Sequence, residues 1–160
     1  MKGKYLLLGT NQGDRIQNLI LAAEGIEKRV GRIIRRSSVY ESDAWGYHDQ
    51  PSFYNQVVTV ETQLSPEMLL EEVKGIETEM GRKKREKWRE RLIDIDILYF
   101  ENDIINTGTL VIPHPELQRR KFTLVPLCEI AADEIHPLLG KTNRQLLKET
   151  NDQLQVSMIR

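Results

Sequence analysis

Two segments with helical periodicity, each lying between segments with strand character, restrict the architecture that this chain can adopt. Apolar residues recur at spacings of three and four from Ile16 to Val30 and from Leu69 to Met80. Strand patterns, rich in β-branched or alternating apolar residues, occupy residues 5–8, 33–40, 53–62 and 92–100. The predicted order is therefore strand, helix, strand, strand, helix, strand, and the hydrophobicity of the last strand predicts a central position in the sheet.

The sequence after residue 100 predicts shorter additional elements. Residues 104–105 and 110–112 are typical of a hairpin, and residues 122–132 and 143–150 are typical of helices. The full pattern indicates an α+β fold, a ferredoxin-like βαββαβ sandwich with C-terminal hairpin and helix additions. Because 160 residues, 39% of them hydrophobic, can bury one sizeable core, we predict a single domain spanning residues 1–160.

Two connecting segments have features of ligand-binding loops. Residues 9–14, with the sequence GTNQGD, form a turn after the first strand, and either Asn11 or Asp14 is expected to cap the following helix. Residues 41–52 form an irregular segment that is long for a small domain. Loops of that length are often functional, so we expect this one to contact a ligand.

The sequence also restricts where the protein works. It contains no apolar run near the roughly 18 residues of a membrane span, and its N-terminal apolar stretch is too short for a signal peptide. Cys128 is the only cysteine, which excludes an internal disulfide and a cysteine-based zinc site. We interpret Cys128 as a core residue rather than a nucleophile. We expect a cytoplasmic protein without membrane contact or an obligatory protein partner.

Two aspartates interrupt the otherwise aliphatic fourth strand. Asp94 and Asp96 are two residues apart, so both carboxylates face one side of the strand while Ile93, Ile95 and Ile97 face the other. Mg²⁺ relieves the repulsion between neighbouring carboxylates, and one or two carboxylates together with substrate phosphates commonly bind it. A solvated acidic face on an edge strand is the alternative interpretation of so short a pattern.

A strongly basic segment comes directly before this strand. Residues 82–91 contain seven basic and two acidic residues, a net charge of +5 in a chain whose net charge is −1. By itself such a segment is typical of a solvated loop. Beside the two aspartates, however, it favours phosphate binding, because arginines and metal ions together neutralise phosphoryl groups. The chain contains neither a P-loop nor a Gly-x-Gly-x-x-Gly motif, so we expect side chains and metal to hold any nucleotide.

Three further side chains are candidates for ligand binding. His114 lies between Pro113 and Pro115, which restrict its backbone, and is either a phosphate or nucleotide contact or a structural residue. Phe53 and Asn55 share one face of the third strand, next to the long loop. An aromatic ring beside an amide suits a planar heterocycle with polar edges, although core packing and a strand-end hydrogen bond explain the pair equally well.

Short motifs spread over nearly the whole chain carry a resemblance to a known family. They are GTNQGDR at 9–15, NL at 18–19, DQP at 49–51, Asn55, GR at 81–82, RLIDIDIL at 91–98, PHP at 113–115, Arg120 with Phe122, and PLCEIA at 126–131. In this order the motifs resemble those of the 6-hydroxymethyl-7,8-dihydropterin pyrophosphokinases of folate biosynthesis. The resemblance implies transfer of pyrophosphate from ATP to the hydroxymethyl group of the pterin, release of AMP, and the use of two Mg²⁺ ions.

The same resemblance implies roles for individual residues. It implies metal binding by Asp94 and Asp96, and contacts to the triphosphate by the catalytic residues Arg82 and Arg91, with Trp88 on a mobile catalytic loop. The pterin-binding residues that it implies are Gly9, Ser42, Trp45, Phe53, Asn55 and Phe122. The nucleotide-side residues that it implies are Glu77, Lys84, Ile97, His114 and Arg120.

A protein of another class could use the same fold. A non-catalytic nucleic-acid binder would use residues 82–91 as a phosphate-binding patch and would stack bases on aromatic residues of the sheet. Asp94 and Asp96 stand where such a sheet needs aromatic or basic residues, and the net charge of −1 does not attract a polyanion. The residues therefore favour an enzyme that acts on small molecules, with no nucleic-acid partner.

Overall fold

The computed structural model describes residues 3–43, 50–82 and 92–159, except for the side chain of Arg82. Within these ranges the chain forms a mixed α/β fold with an antiparallel main sheet and four α-helices. The strands are β1 (Lys4–Thr10), β2 (Arg32–Arg36), β3 (Tyr40–Ser42), β4 (Phe53–Glu61), β5 (Asp94–Phe100), β6 (Ile105–Asn106), β7 (Val111–Ile112) and β8 (Val156–Met158). The helices are α1 (Arg15–Arg29), α2 (Pro66–Arg82), α3 (Lys121–Ala131) and α4 (Asn143–Glu149).

The strands β1 and β4 lie inside the main sheet. The strand order is β5, β1, β4, β3, β8, and β2 also pairs with β4. The neighbours of β1 are β4 and β5, both antiparallel to it. The units β1–α1–β2 and β4–α2–β5 are therefore interleaved. β4 lies between β1 and β2, and β1 lies between β4 and β5. This arrangement brings the C-terminal ends of β1 and β3 and the N-terminal ends of β4 and β5 to the same end of the sheet. The predicted hairpin is formed separately by β6 and β7.

Helices cover both faces of the main sheet. Successive side chains of each strand point to opposite faces, so the strands contribute residues to a core on each side. On one face, strand residues that include Leu6, Leu8, Val58 and Ile95 pack in one core with α1 and α2. On the other face, strand residues that include Tyr5, Leu7, Val57, Leu98 and Tyr99 pack with α3 and α4.

The first helix begins as predicted and buries most of the predicted stripe, since Leu19, Ala23, Ile26 and Val30 are buried. Asp14 caps it by accepting a hydrogen bond from Gln17 N at 3.0 Å, so Asp14 rather than Asn11 is the N-cap. Ile16 and Ile20, which the predicted stripe includes, are 42% and 46% exposed. They lie at one edge of the stripe, because the buried side of α1 is centred near Ala22 and Ile26. The buried residues of α1 are Asn18, Leu19, Ala22, Ala23 and Ile26.

The prediction of one strand over residues 33–40 is wrong, since β2 and β3 are separate. The backbone N–H and the hydroxyl of Ser38 both donate to the carboxylate of Glu129 on α3, each at 3.0 Å. The hydroxyl of Ser37 accepts from Val57 N at 3.0 Å. Ser37 N still donates to the carbonyl of Val57 at 2.8 Å, but side chains take up the backbone N–H groups of Val57 and Ser38 and thereby separate β2 from β3.

The prediction that the fourth strand is central is also wrong. β5 lies at one end of the main sheet, beside β1. It is hydrophobic because both of its faces are covered, with Ile93 and Ile95 in the α1 and α2 core and Leu98 and Tyr99 in the α3 and α4 core. At the other end, the sequence did not predict β8, which is three residues long and too short to show a period.

Two observations bear on the expectations that the chain has no membrane span and that Cys128 is a core residue. Among the described residues, no helix combines the length and apolar character needed to cross a bilayer. Cys128 is partly buried on α3, and this burial raises the pKa of its thiol to about 11. A thiol with a raised pKa is a weak nucleophile at neutral pH, which agrees with a packing role.

Candidate active site

A cavity of about 250 Å³ lies on the α3 side of the main sheet, at the end where β1, β3, β4 and β5 meet. Eight residues that the sequence singles out line it: Gly9, Ser42, Phe53, Asn55, Asp94, Asp96, Arg120 and Phe122. The sequence analysis missed three other lining residues: Leu7, Asp43 and Gln50. Leu7 could have been found because it shares a strand face with Gly9, and the other two belong to the long segment expected to contact a ligand.

The strand register sets the floor of the cavity. Gly9 pairs with Asn55 of β4 on one side and with Asp94 of β5 on the other, and Leu7 pairs with Asp96. Directly paired residues share a sheet face, so Asn55 and Asp94 face the same space from strands separated by two interstrand spacings, about 10 Å. The cavity therefore has an amide side and an acidic side with Gly9 between them.

Because Gly9 has no side chain, it leaves space above the middle of the cavity floor. A Cβ atom at this position would lie 3.0 Å from Asn55 Oδ1 and 3.9 Å from Phe53 Cδ1. The first distance is shorter than ordinary van der Waals contact, so a Cβ here would require the amide to move by a few tenths of an ångström. The close approach of side chains from the neighbouring strand therefore favours glycine at this position.

The amide side is built from two buried polar groups. Asn55 and Ser42 are each only 2% exposed, and Asn55 Nδ2 donates to Ser42 Oγ at 3.1 Å. This hydrogen bond turns Asn55 Oδ1 toward Gly9 and the cavity floor. A buried carbonyl oxygen favours a ligand that donates a hydrogen bond, because leaving it unpaired is costly.

Two aromatic rings also line the cavity and come from distant parts of the chain. Phe53 is the first residue of β4, and Phe122 lies in the first turn of α3. Asp152 accepts a hydrogen bond from Lys121 N at 2.8 Å and thereby holds the start of α3 in place. The Arg120 guanidinium lies 5.5 Å from the centre of the Phe122 ring. The tertiary structure therefore supplies two flat apolar surfaces and a cation to the same cavity.

The acidic side consists of Asp94 and Asp96 on the cavity face of β5. Within residues 3–43, 50–82 and 92–159, no group of three or more His, Cys, Asp or Glu side chains could hold a metal by itself. Two carboxylates form an incomplete, all-oxygen ligand set. Such a set fits Mg²⁺, which commonly takes its other ligands from phosphates and water.

His114 stands next to this acidic pair. Its Nε2 lies 3.9 Å from Asp96 Oδ2, and its Nδ1 accepts a hydrogen bond from Glu116 N at 3.1 Å. Burial lowers the pKa of His114 below its ordinary value and outweighs the opposing effect of the Asp96 carboxylate. The ring is therefore neutral at pH 7, with Nε2 carrying the proton that points toward the acidic side.

Side chains outside the cavity hold the start of β5. Glu77 on α2 accepts a hydrogen bond from Ile95 N, between the two aspartates, at 2.7 Å. Thr10 donates to the carbonyl of Leu92 at 2.6 Å, and Asn18 donates to the Thr10 hydroxyl at 3.0 Å. The sequence analysis quoted Thr10 and Asn18 within motifs but assigned them no role, because their shared partner Leu92 lies more than seventy residues away.

The other predicted site residues fall into two groups. Glu77 and Ile97 do not line this cavity among the described residues, and the side chain of Ile97 is buried in the α1 and α2 core. Their nucleotide contacts stay predictions. Trp45, Lys84, Trp88, Arg91 and the side chain of Arg82 lie outside the described residues.

Comparisons with known proteins agree with one family. A sequence model described as 7,8-dihydro-6-hydroxymethylpterin-pyrophosphokinase (HPPK) matches residues 5–132. The 2-amino-4-hydroxy-6-hydroxymethyldihydropteridine pyrophosphokinase of Aquifex aeolicus is 44% identical over 145 residues, which are 91% of this chain and 90% of that protein. The protein of the same name from Haemophilus influenzae is 39% identical, over 91% of this chain and 88% of that protein.

Longer proteins contain a region similar to this chain. The folic acid synthesis protein fol1 of Pneumocystis carinii is 42% identical over 85% of this chain, which spans 18% of that protein. A crystal structure of wild-type Plasmodium falciparum HPPK-DHPS with pteroate has a TM-score of 0.73 at 21% identity and covers 92% of this chain. The chain spans 42% of that structure's length, and the likeness shows a shared fold.

Proposed function

Because the chain belongs to the 7,8-dihydro-6-hydroxymethylpterin-pyrophosphokinase family, we propose that the cavity on the α3 side of its sheet is the active site. The protein is a pyrophosphokinase that acts on hydroxymethyldihydropterin in folate synthesis, with ATP as co-substrate. In the proposed reaction the pterin hydroxyl attacks the β-phosphorus of ATP. A bond from the hydroxymethyl oxygen to that phosphorus forms, the bond to the α-phosphate oxygen breaks, and AMP leaves.

One observation carries this assignment of the site. The strand register places a buried amide and an acidic pair on opposite sides of Gly9, about two interstrand spacings apart. A flat ring bound at Asn55 would thus direct a substituent toward Asp94. Catalysis would rest on holding the hydroxyl and the triphosphate in this geometry, without a covalent intermediate.

We propose that the amide side binds the pterin. Phe53 and Phe122 would stack on the faces of the ring, while Asn55 and Ser42 would pair with its polar edge. Support comes from the burial of Asn55 and Ser42 and from the two aromatic rings in the same cavity. The proposed backbone contacts near Gly9 and Trp45 belong to the same side.

We propose that the acidic side binds the triphosphate with magnesium. Asp94 and Asp96 would hold Mg²⁺, two ions in the complete complex. When bound there, the metal would neutralise phosphate charge and lower the pKa of the attacking hydroxyl. Arg120 and the neutral His114 would donate hydrogen bonds to the nucleotide, because both offer N–H groups at this end of the sheet. Roles for Glu77, Lys84, Ile97, Arg82, Arg91 and Trp88 remain part of the proposal from the resemblance.

The finer descriptions of the fold and location are also proposals. The interleaved strand order supports a ferredoxin-like arrangement of the elements from β1 to β5, with β2 and β3 together in place of one strand. A single domain over residues 1–160 and a cytoplasmic location without an obligatory protein partner rest on the sequence alone.

The test is AMP formation from ATP and Mg²⁺ with and without 6-hydroxymethyl-7,8-dihydropterin. We expect AMP to form only when all three components are present, because the hydroxyl of the pterin is the acceptor. The control is an RNA-binding titration over a range of salt concentrations. Steeply salt-dependent RNA binding without pterin-dependent AMP formation would instead support the nucleic-acid binder.

Replacing Gly9 with alanine is expected to weaken pterin binding by about tenfold, or about 1.4 kcal/mol. The new Cβ would lie 3.0 Å from Asn55 Oδ1, so the amide would have to move by a few tenths of an ångström from the position in which it faces the ligand. The matched control is Gly108→Ala, where a Cβ meets nothing within 4 Å. Calorimetric titration of both variants with the pterin measures the effect, and unchanged affinity in Gly9→Ala would contradict a ligand on this floor.

A further inference from the structure

A compact polar cluster lies on the face of the sheet opposite to the pterin side of the cavity. It consists of Arg15, Glu41, Ser52 and Tyr54, and we refer to it as the Arg15 cluster. Arg15 Nη1 donates to the carbonyl and to the hydroxyl of Ser52, at 2.9 and 2.8 Å. The same atom lies 3.7 Å from Glu41 Oε2, to which the Ser52 hydroxyl also donates. The guanidinium carbon lies 3.9 Å from the centre of the Tyr54 ring.

The cluster joins two strands at the point where they reach the cavity. Glu41 pairs with Tyr54, and Ser42 pairs with Phe53, in the β3–β4 register. Because side chains alternate, the two pairs face opposite sides of the sheet. Ser42 and Phe53 line the cavity, so the Arg15 cluster holds the same two strands from the reverse side.

The pairing between β3 and β4 at this position is short, and β8 pairs only with the other edge of β3. β3 has only three residues, and its pairing with β4 extends from Tyr40 to Ser42. So short a pairing supplies few interstrand hydrogen bonds to define the spacing between Ser42 and Asn55. Arg15 is the first residue of α1, a 15-residue helix, and therefore reaches the strands from a rigid element.

The chemistry of arginine matters in this arrangement. Its planar guanidinium contacts a carbonyl, a hydroxyl, a carboxylate and an aromatic face at once. A lysine ammonium is a compact point charge on a flexible stem and does not reproduce a planar fork stacked on a ring. Charge alone would therefore not preserve the cluster.

We propose that Arg15 is a positioning residue for the pterin side of the active site. Arg15 fastens Glu41 of β3 to Ser52, which precedes β4. It thereby sets the distance of Ser42 from Phe53 and Asn55, and this distance defines the width of the pterin side of the cavity. Arg15 acts through these residues and does not touch the reacting atoms. The inference rests on the proposed function, because it concerns the substrate side of the same cavity.

The test compares Arg15→Ala and Arg15→Lys with Arg32→Ala. Arg32 is a matched control because it also joins neighbouring strands, through an ion pair with Glu61 at 3.4 Å, but on β2, and it does not line the cavity. We expect both Arg15 variants to raise the KM for the pterin about tenfold, since displaced binding groups weaken substrate positioning. The KM for ATP, and kcat at saturating pterin, should change less than twofold. Arg32→Ala should leave all three values unchanged.

A second variant separates positioning from loss of structure. Ser52→Ala removes the hydroxyl that bridges Arg15 and Glu41 without removing a charge. Calorimetric pterin affinities of Arg15→Ala, Ser52→Ala and the double variant should be non-additive, because the two groups act as one unit. Binding of a non-hydrolysable ATP analogue and the thermal unfolding temperature are measured on the same samples.

The outcomes separate the inference from the function on which it rests. If the unaltered protein forms no AMP from ATP and the pterin, the proposed function fails. If it does, and Arg15→Ala and Ser52→Ala keep the unaltered pterin affinity, only the positioning role is overturned. Equal losses for the pterin and the ATP analogue would also overturn it, because they would indicate general loss of the fold.

Discussion

Replacing Asp94 or Asp96 with alanine is expected to lower the rate of AMP formation by about a thousandfold or more, about 4 kcal/mol of transition-state stabilisation. Both carboxylates line the cavity, and no other His, Cys, Asp or Glu among the described residues completes a metal site with them. Each variant therefore removes one of the two carboxylates that the proposed site offers to Mg²⁺. The measurement is the initial rate with both substrates over a range of Mg²⁺ concentrations.

The fold should survive these substitutions. The Asp96 side chain is 41% exposed, and partly exposed carboxylates contribute little to stability. The control is Asp103→Ala, because Asp103 is an exposed aspartate in the turn after β5 and lies outside the cavity. Thermal unfolding should give similar midpoints for all three variants. Full activity of Asp94→Ala or Asp96→Ala at ordinary Mg²⁺ would contradict the metal assignment.

Removing both aromatic rings from the cavity is expected to weaken pterin binding by about a hundredfold, with about tenfold or more for each of Phe53→Ala and Phe122→Ala. Each ring contributes apolar burial and about 0.5–1.5 kcal/mol of stacking beyond that burial. The two rings come from different elements, β4 and α3, and would stack on the faces of the pterin ring, so their effects should add approximately. Calorimetric titration with the pterin measures the loss.

The amide provides a companion to the aromatic variants. Asn55→Ala should also weaken pterin binding by about tenfold, because an unpaired polar atom of the bound ring costs about 1–3 kcal/mol. Binding of a non-hydrolysable ATP analogue to all of these variants should be nearly unchanged, since Asn55 lies on the other side of Gly9 from Asp94. Equal losses for both ligands would mean that the cavity has collapsed. No loss for the pterin would mean that these residues only pack the core.

Much of the fold follows from local patterns. The apolar spacing along 16–30 and 69–80 predicted α1 and α2, and the segments at 122–132 and 143–150 correspond to α3 and α4. The local pattern wrongly predicted one strand over 33–40. Ser38 in this segment donates to Glu129 of α3, which lies ninety-one residues further along the chain. The local pattern also placed β5 at the centre of the sheet, because hydrophobicity reports how well a strand is covered and not where it lies.

The candidate site, like the fold, could be predicted from the sequence only in part. The sequence alone determined that Asp94 and Asp96 share a strand face and that Phe53 and Asn55 share another, because a strand has a period of two. The irregular segment expected over 41–52 begins later than predicted, since Glu41 and Ser42 belong to β3. Only the tertiary structure decided that these two strand faces meet on either side of Gly9, that Phe122 joins them from α3, and that Arg15 fastens β3 to β4 behind them. The physical reason is range: periodicity is set by each residue's immediate chain neighbours, whereas strand register and side-chain contacts between distant segments depend on how the two cores pack.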